Sequence, residues 1–471
     1  MDLDDQPGSE GLDGRDEPDL VIRAQNVVMP EGTGPAAVVI RDGVIAAVRP
    51  PGWRAAAAPA IDLAADEVLL PGLVDTHVHV NEPGRTGWEG FACATRAAAA
   101  GGITTIIDMP LNSIPPTTDV PALEAKRAAA AGQCYVDVGF WGGSVPGNLG
   151  DLAALHEAGV FGFKSFTIDS GVPEFPPLDY AGLDRSMREV AALGSVQLVH
   201  AEDPGVIAAA PPASGPSYAG FLASRPDAAE VAAISRVLSL ARETGARTHV
   251  LHLSSADAVE PLRAARAAGI PVTVETCPHY LALAAEDVPD GATQYKCCPP
   301  VRARDNARAL WDALRAGVID CVVSDHSPCP PLLKRVDHGD FGAAWGGISS
   351  AQLSLAIMFT EAERAGLALA DLARWMSLGP ARMAGLRGKG AIAPGFDADL
   401  VAFAPDETFR VEPARLEHRH KLTPYAGRVL RGVVRRTWLR GEVADGTRPR
   451  GRLLRRGEPA PARPASRAAA P

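Results

Sequence analysis

The sequence predicts an α/β fold: a (β/α)8 TIM-type barrel with a small β-sandwich domain built from N- and C-terminal segments. Three observations carry this. Apolar, strand-like runs alternate with helical stretches rich in Ala, Leu, Glu and Arg through the middle of the chain, and repeated β-then-α units favour parallel strands joined by crossover helices. Eight such runs can be marked, the number that closes a barrel. No Gly-rich dinucleotide turn follows the first of them, which weighs against an open, doubly wound sheet.

The elements follow in order. Residues 1–18 are acidic and poor in hydrophobes; they bury too little apolar surface to offset ordering entropy, so a disordered segment is expected. Residues 19–70 offer short β-branched runs, Leu20-Val21-Ile22, Ala37-Val38-Val39-Ile40 and Val44-Ile45-Ala46-Ala47-Val48, the last two separated by the turn signal Arg41-Asp42-Gly43. Runs of the same kind return at 398–403 and 436–441. Residues 19–70 and 386–445 are therefore expected to share one β domain. The barrel is expected over 71–385, with strands at 73–80, 103–109, 135–141, 160–166, 196–201, 248–253, 272–276 and 321–324. Stretches such as 227–244 and 305–316 supply helices between them. Residues 446–471, rich in Arg, Ala and Pro, are expected to form a second disordered tail.

Composition narrows the function classes. The 471 residues, 46% hydrophobic and 22% charged, match a globular chain with a sizeable core. A net charge of −10 argues against a general nucleic-acid surface, which needs clustered positive charge. No apolar run approaches the ~20 residues that span a bilayer, and the acidic start lacks the pattern of a secretory signal. The expectation is a cytoplasmic protein with no membrane partner. Seven cysteines without a CxxC pair read as reduced thiols.

The chemistry sits at strand ends. In Asp75-Thr76-His77-Val78-His79 two histidines stand at i and i+2 on a strand, so both side chains point to one face. By itself this pair is as compatible with a core position as with a metal. The other strands end in Phe161-Gly162-Phe163-Lys164, Leu198-Val199-His200, Val250-Leu251-His252 and Val322-Val323-Ser324-Asp325. Each polar residue lies at the C-terminal end of a barrel strand, the face where such barrels place their active sites. Six of them in this arrangement point to a metal site. Imidazole and carboxylate suit zinc, with iron, cobalt or manganese as alternatives. A lysine ammonium has no lone pair, so Lys164 can ligate only when deprotonated or chemically modified.

With these residues the chain resembles the amidohydrolase superfamily, in its cyclic-amidase branch of dihydroorotases, hydantoinases and allantoinases, from about Asp19 to Asp445. The resemblance implies that Lys164 carries a carbamate formed with CO2 and bridges two zinc ions. It implies His77, His79 and Asp325 on the first ion, His200 and His252 on the second, and a hydroxide between them, with Asp325 as catalytic proton shuttle. It also implies a homotetramer. Within the branch, Asn81 stands where dihydroorotases usually carry an arginine. Asp169 stands where hydantoinases and dihydropyrimidinases usually carry a tyrosine, five residues after the lysine. Stretches such as Asn81-Glu82-Pro83-Gly84-Arg85-Thr86, Asp108-Met109-Pro110-Leu111-Asn112-Ser113, Lys296-Cys297-Cys298-Pro299-Pro300 and Ser324-Asp325-His326-Ser327-Pro328 resemble the allantoinases instead. The implied reaction is ring-opening of allantoin, a small neutral cyclic ureide, in purine nitrogen catabolism. A pocket for it should read N–H and C=O groups, with Asn112, Cys297, Cys298, Trp345, Gly346 and Gly347 as substrate-binding candidates. A broader hydantoinase, a cysteine nucleophile at Cys297-Cys298 with His279 as base, and a non-catalytic scaffold are the competing readings.

Overall fold

A computed structural model describes residues 17–55 and 57–457. Both chain ends build one β domain. Strands β1 (Leu20–Met29), β2 (Gly32–Arg41), β3 (Val44–Arg49), β4 (Ala60–Asp62) and β5 (Val68–Pro71) come from the N-terminal side. In the β2–β3 hairpin Asp42 and Gly43 have φ of 53° and 77°, the two positive values a tight hairpin turn needs. The C-terminal strands of the same domain join through β5, and a core of Ile22, Val38, Ile40, Leu69, Leu400 and Trp438 holds the two ends together.

The middle of the chain forms the barrel. Its strands are β6 (Leu73–Val78), β7 (Ile103–Asp108), β8 (Asp137–Phe140), the short β9 (Gly142–Gly143), β10 (Phe163–Phe166), β11 (Val196–His200), β12 (Arg247–Val250), β13 (Val272–Thr276) and β14 (Cys321–Val322). All eight expected runs contain a strand, and the pairings are parallel. Two seams close the ring: Phe161 N donates to Phe140 O, and His79 N donates to His326 O. The runs that are shorter than expected are trimmed mainly where site residues begin. His252 and Asp325, with φ of 35° and 43°, turn the backbone out of the ladder just past β12 and β14. Crossover helices such as Asp227–Thr244 and Arg304–Arg315 cover the outside.

Beyond the barrel the chain returns in β15 (Leu400–Arg410), β16 (Val429–Leu439) and β17 (Glu442–Val443), giving the sheet order β17-β16-β15-β5-β1-β2-β3 with β4 beside β1.

Residues 446–457 correct the expectation of a loose tail. They lie along the barrel: Gly451 N donates to Cys134 O, Val138 N to Arg452 O, Leu454 N to Val138 O and Arg456 N to Gly159 O. Backbone pairing and the packing of Leu453 and Leu454 order a segment whose composition promised little. Residues 1–16 and the tail beyond 457 lie outside the described residues.

One buried ionic knot ties barrel to β domain. Lys389 Nζ lies 2.7, 2.8 and 2.6 Å from Asp137, Asp397 and Asp399, and Arg440 Nη1 lies 2.6 Å from Asp137. The three carboxylates could together hold a cation, but an ammonium and a guanidinium already fill that role. Removing one partner from such a pair leaves a buried uncompensated charge, at a cost of ~3–5 kcal/mol. Lys389→Ala is therefore expected to lower unfolding free energy by about that much in a urea titration; a loss under ~1 kcal/mol would show that the knot is not a net constraint.

Candidate active site

The C-terminal ends of the barrel strands surround a cavity of about 240 Å³. β6 presents His77, with His79 just past its end. β10 brings Lys164, β11 His200, and the turns after β12 and β14 bring His252 and Asp325. All six line the cavity, although up to 248 residues separate them in sequence. The same walls contain Asn112, Cys297, Cys298, Trp345, Gly346 and Gly347, so every expected substrate-binding candidate reaches the same space.

The six side chains fall into two groups. His77 Nε2 lies 3.2 Å and His79 Nε2 3.5 Å from Asp325 Oδ1. His200 Nδ1 faces His252 Nε2 at 3.0 Å. Lys164 Nζ stands 3.4 Å from His77 Nε2, and, besides burial, its charge lowers the pKa values of both His200 and His252. Ligands ~2.1 Å from one cation at tetrahedral angles lie ~3.4 Å apart, so these spacings suit two coordination spheres side by side. Burial pushes the His79 and His252 pKa values well below the imidazole range, with Lys164 and the neighbouring imidazoles adding to it. Burial likewise lowers His200, against the pull of Glu202. A neutral ring with a free lone pair is the form that ligates. Burial also brings Lys164 down to about 8, against the attraction of Asp325 and Glu275. Asp325 is raised by burial, with His77 and Lys164 opposing. His252 and Asp325 both carry left-handed backbone, and such strain persists where the surroundings over-determine a site.

Two carboxylates absent from the sequence-based expectations orient the rings. Glu275 on β13 accepts from His77 Nδ1 at 2.5 Å, from His249 Nε2 at 3.0 Å and from His252 N at 3.2 Å. Its anion is held below the usual carboxylate range, because His77 and His249 outweigh the burial that opposes ionisation. Glu202 accepts from His200 Nε2 at 2.8 Å and pairs with Arg225. Fixing the second ring nitrogen selects the tautomer that turns a lone pair inward. A signal for Glu275 existed: an acid in the apolar run Val272-Thr273-Val274-Glu275-Thr276 is costly without a partner. The partner, 198 residues away at His77, was not visible.

The cavity is smaller than the ~300–1,000 Å³ of drug-sized sites, and suits a small polar molecule. Phe166 stacks on His200 with ring centroids 4.7 Å apart. Asn112 Nδ2 lies 3.4 Å from His79 Nδ1, so Asn112 touches the His79 ring as well as the cavity. Opposite, Gly347 N donates to Lys296 O at 2.8 Å. A Cβ at Gly347 would meet Ser327 O at 2.2 Å, and its φ is 150°, so this close approach requires glycine. Trp345 packs edge-on against Trp88 at 5.0 Å. Ser170, Gly171, Arg225, Lys296 and Ser327 also line the space and were not among the expected contacts.

The cysteine-nucleophile alternative finds no support in this geometry. Burial pushes the Cys297 thiol up, away from thiolate, and holds His279 down at about 3. Both ring nitrogens of His279 lack a hydrogen-bond partner among the described residues, so it is not engaged with either thiol.

Known proteins place this arrangement. The model of the amidohydrolase family matches residues 68–444. The chain is 58% identical over 442 residues to an allantoinase of Streptomyces avermitilis, covering 93% of this chain and 99% of that one. It is 49% identical to an allantoinase of Saccharomyces cerevisiae over 80% of this chain and 82% of the relative. Among solved structures, an L-hydantoinase (dihydropyrimidinase) from Arthrobacter aurescens superposes with a TM-score of 0.87 at 33% identity, covering 93% of this chain and 100% of that one. The chain belongs to the amidohydrolase family, with the barrel and β-sandwich that its residues predict.

Proposed function

We propose that the chain hydrolyses the hydantoin-ring amide of allantoin to give allantoate, on a pair of divalent cations. The observation that carries this is the meeting of His77, His79, Lys164, His200, His252 and Asp325 at one cavity. Similarity to allantoinases from two organisms supports the choice of substrate.

His77, His79 and Asp325 would hold one cation, His200 and His252 the other. Lys164 would bridge them as a carbamate: its neutral amine nitrogen bonds to the carbon of CO2 and releases a proton. A buried lysine with its pKa near 8 keeps enough free amine for this at neutral pH. When bound, zinc or a similar ion lowers the pKa of water to about 7 and polarises a carbonyl. Asp325 then takes the proton of the attacking water at its carboxylate. As the new C–O bond forms and the ring C–N bond breaks, it returns that proton to the departing nitrogen. Asn112 and the backbone around Cys297, Cys298, Trp345, Gly346 and Gly347 would read the ureide groups, which need donors and acceptors rather than charge. A cytoplasmic homotetramer belongs to this reading; light scattering after size-exclusion chromatography measures the second half of it.

The structural likeness to hydantoinases favours a second reading, with hydantoin or dihydrouracil as substrate. Against it stands Asp169, which lines the cavity where those enzymes usually carry a tyrosine. Assays of the zinc-loaded protein on allantoin, hydantoin and dihydrouracil separate the two. Turnover is expected chiefly on allantoin; activity confined to the other two would overturn the proposal.

A further inference from the structure

The two halves of the site are anchored differently. Glu275, which fixes His77, uses both oxygens: Oε1 accepts from His77 Nδ1 and His252 N, and Oε2 accepts from His249 Nε2. It is fully buried and cannot turn without breaking several bonds at once. Glu202, which fixes His200, is equally buried but is held by one oxygen. Its Oε2 accepts from His200 Nε2 and from Arg225 Nη1. Its Oε1 has no hydrogen-bond partner among the described residues. The His200 ring is therefore oriented through one carboxylate oxygen, and whatever sets that oxygen sets the ring.

Arg225 is therefore the brace. It sits in the short link between the helices Tyr218–Ala223 and Asp227–Thr244. Its backbone carbonyl accepts from Arg302 Nη1 at 3.2 Å, and Arg302 in turn pairs with Glu230 at 2.8 Å. The guanidinium is thus mounted on a fixed framework and still reaches the cavity wall. Guanidinium–carboxylate geometry is directional, so Arg225 sets the carboxylate, the carboxylate holds His200 Nε2–H, and His200 Nδ1 is left aimed at the same point as His252 Nε2.

We propose that Arg225 and Glu202 are positioning residues for the second cation, and that this cation is the one the enzyme holds through an arginine-braced ring. The inference rests on the two-cation reading above. Orienting partners of this kind are worth about 10–100-fold in metal affinity. Removing the brace should weaken the His200/His252 position selectively, because Glu275 and the His77 side are untouched.

The test uses the full chain loaded with zinc and bicarbonate, then dialysed against graded chelator, with zinc per chain measured by elemental analysis. Wild type should hold two zinc ions. Arg225→Gln and Glu202→Gln should release one of them at about 10–100-fold lower chelator strength, with the other retained as in wild type. Arg225→Lys should lie between. At limiting zinc, kcat should fall with the lost ion while KM for allantoin changes little, and added zinc should restore it. Zinc release indistinguishable from wild type in both Gln variants would overturn the proposal. So would loss of both ions together with a lower melting temperature of the metal-free protein, which marks general disruption. A wild-type chain that never holds a second zinc overturns the two-cation reading itself, and the variants are not needed to see it.

Discussion

Lys164→Ala is expected to lose metal and activity together. Nζ of Lys164 lies 3.4 Å from His77 Nε2, and the residue is 1% exposed. Alanine there removes the side chain that would carry the bridging carbamate, leaving imidazoles and the Asp325 carboxylate as ligands for two dications. Metal-derived stabilisation of the transition state is worth several kcal/mol, and each 1.36 kcal/mol is tenfold in rate. Turnover should therefore fall by at least about 10³-fold, with zinc per chain reduced in the same preparation. Short-chain carboxylic acids should restore part of both, because their carboxylate can occupy the space a carbamate would fill. The variant should remain folded, since the buried amine it removes makes a single side-chain hydrogen-bond contact among the described residues, with the His77 ring at 3.4 Å. Near-wild-type activity in untreated Lys164→Ala would refute the bridging role.

The second large effect is at Asp325. Its carboxylate lies within 3.2–3.5 Å of two imidazole nitrogens and lines the cavity, as the proposed proton shuttle requires. Asp325→Asn keeps the shape and an oxygen that can still ligate, but cannot take up a proton. General acid–base catalysis contributes about 10²–10⁴-fold, so kcat should drop over that range with KM for allantoin nearly unchanged. Zinc content should stay above that of Lys164→Ala. Retained turnover in Asp325→Asn would remove the proton shuttle; equal loss of zinc in both variants would reduce Asp325 to a ligand alone.

Much of the site was legible because the barrel imposes a simple rule: a polar residue ending an apolar strand faces the mouth. Lys164, His200, His252 and Asp325 each announce themselves this way, and the His77–His79 spacing shows which two share a face. Glu202 was not legible, and for Glu275 only its need of a partner was, not which residue that partner is. Their function depends on what they touch: one acid sits two residues from His200, the other 198 residues from His77. Neither distance in sequence predicts a 2.5–2.8 Å contact in space.

Local pattern determined the strands, the helices between them and the identity of the six site residues, because burial period and strand-end polarity are properties of short segments. Tertiary structure decided which carboxylate fixes which imidazole, how Lys389 and Arg440 are set among three acids drawn from two domains, and why residues 446–457 are ordered. Each of these is a pairing between groups far apart in the chain. Its energy comes from mutual desolvation and hydrogen bonding that exist only once the barrel has closed.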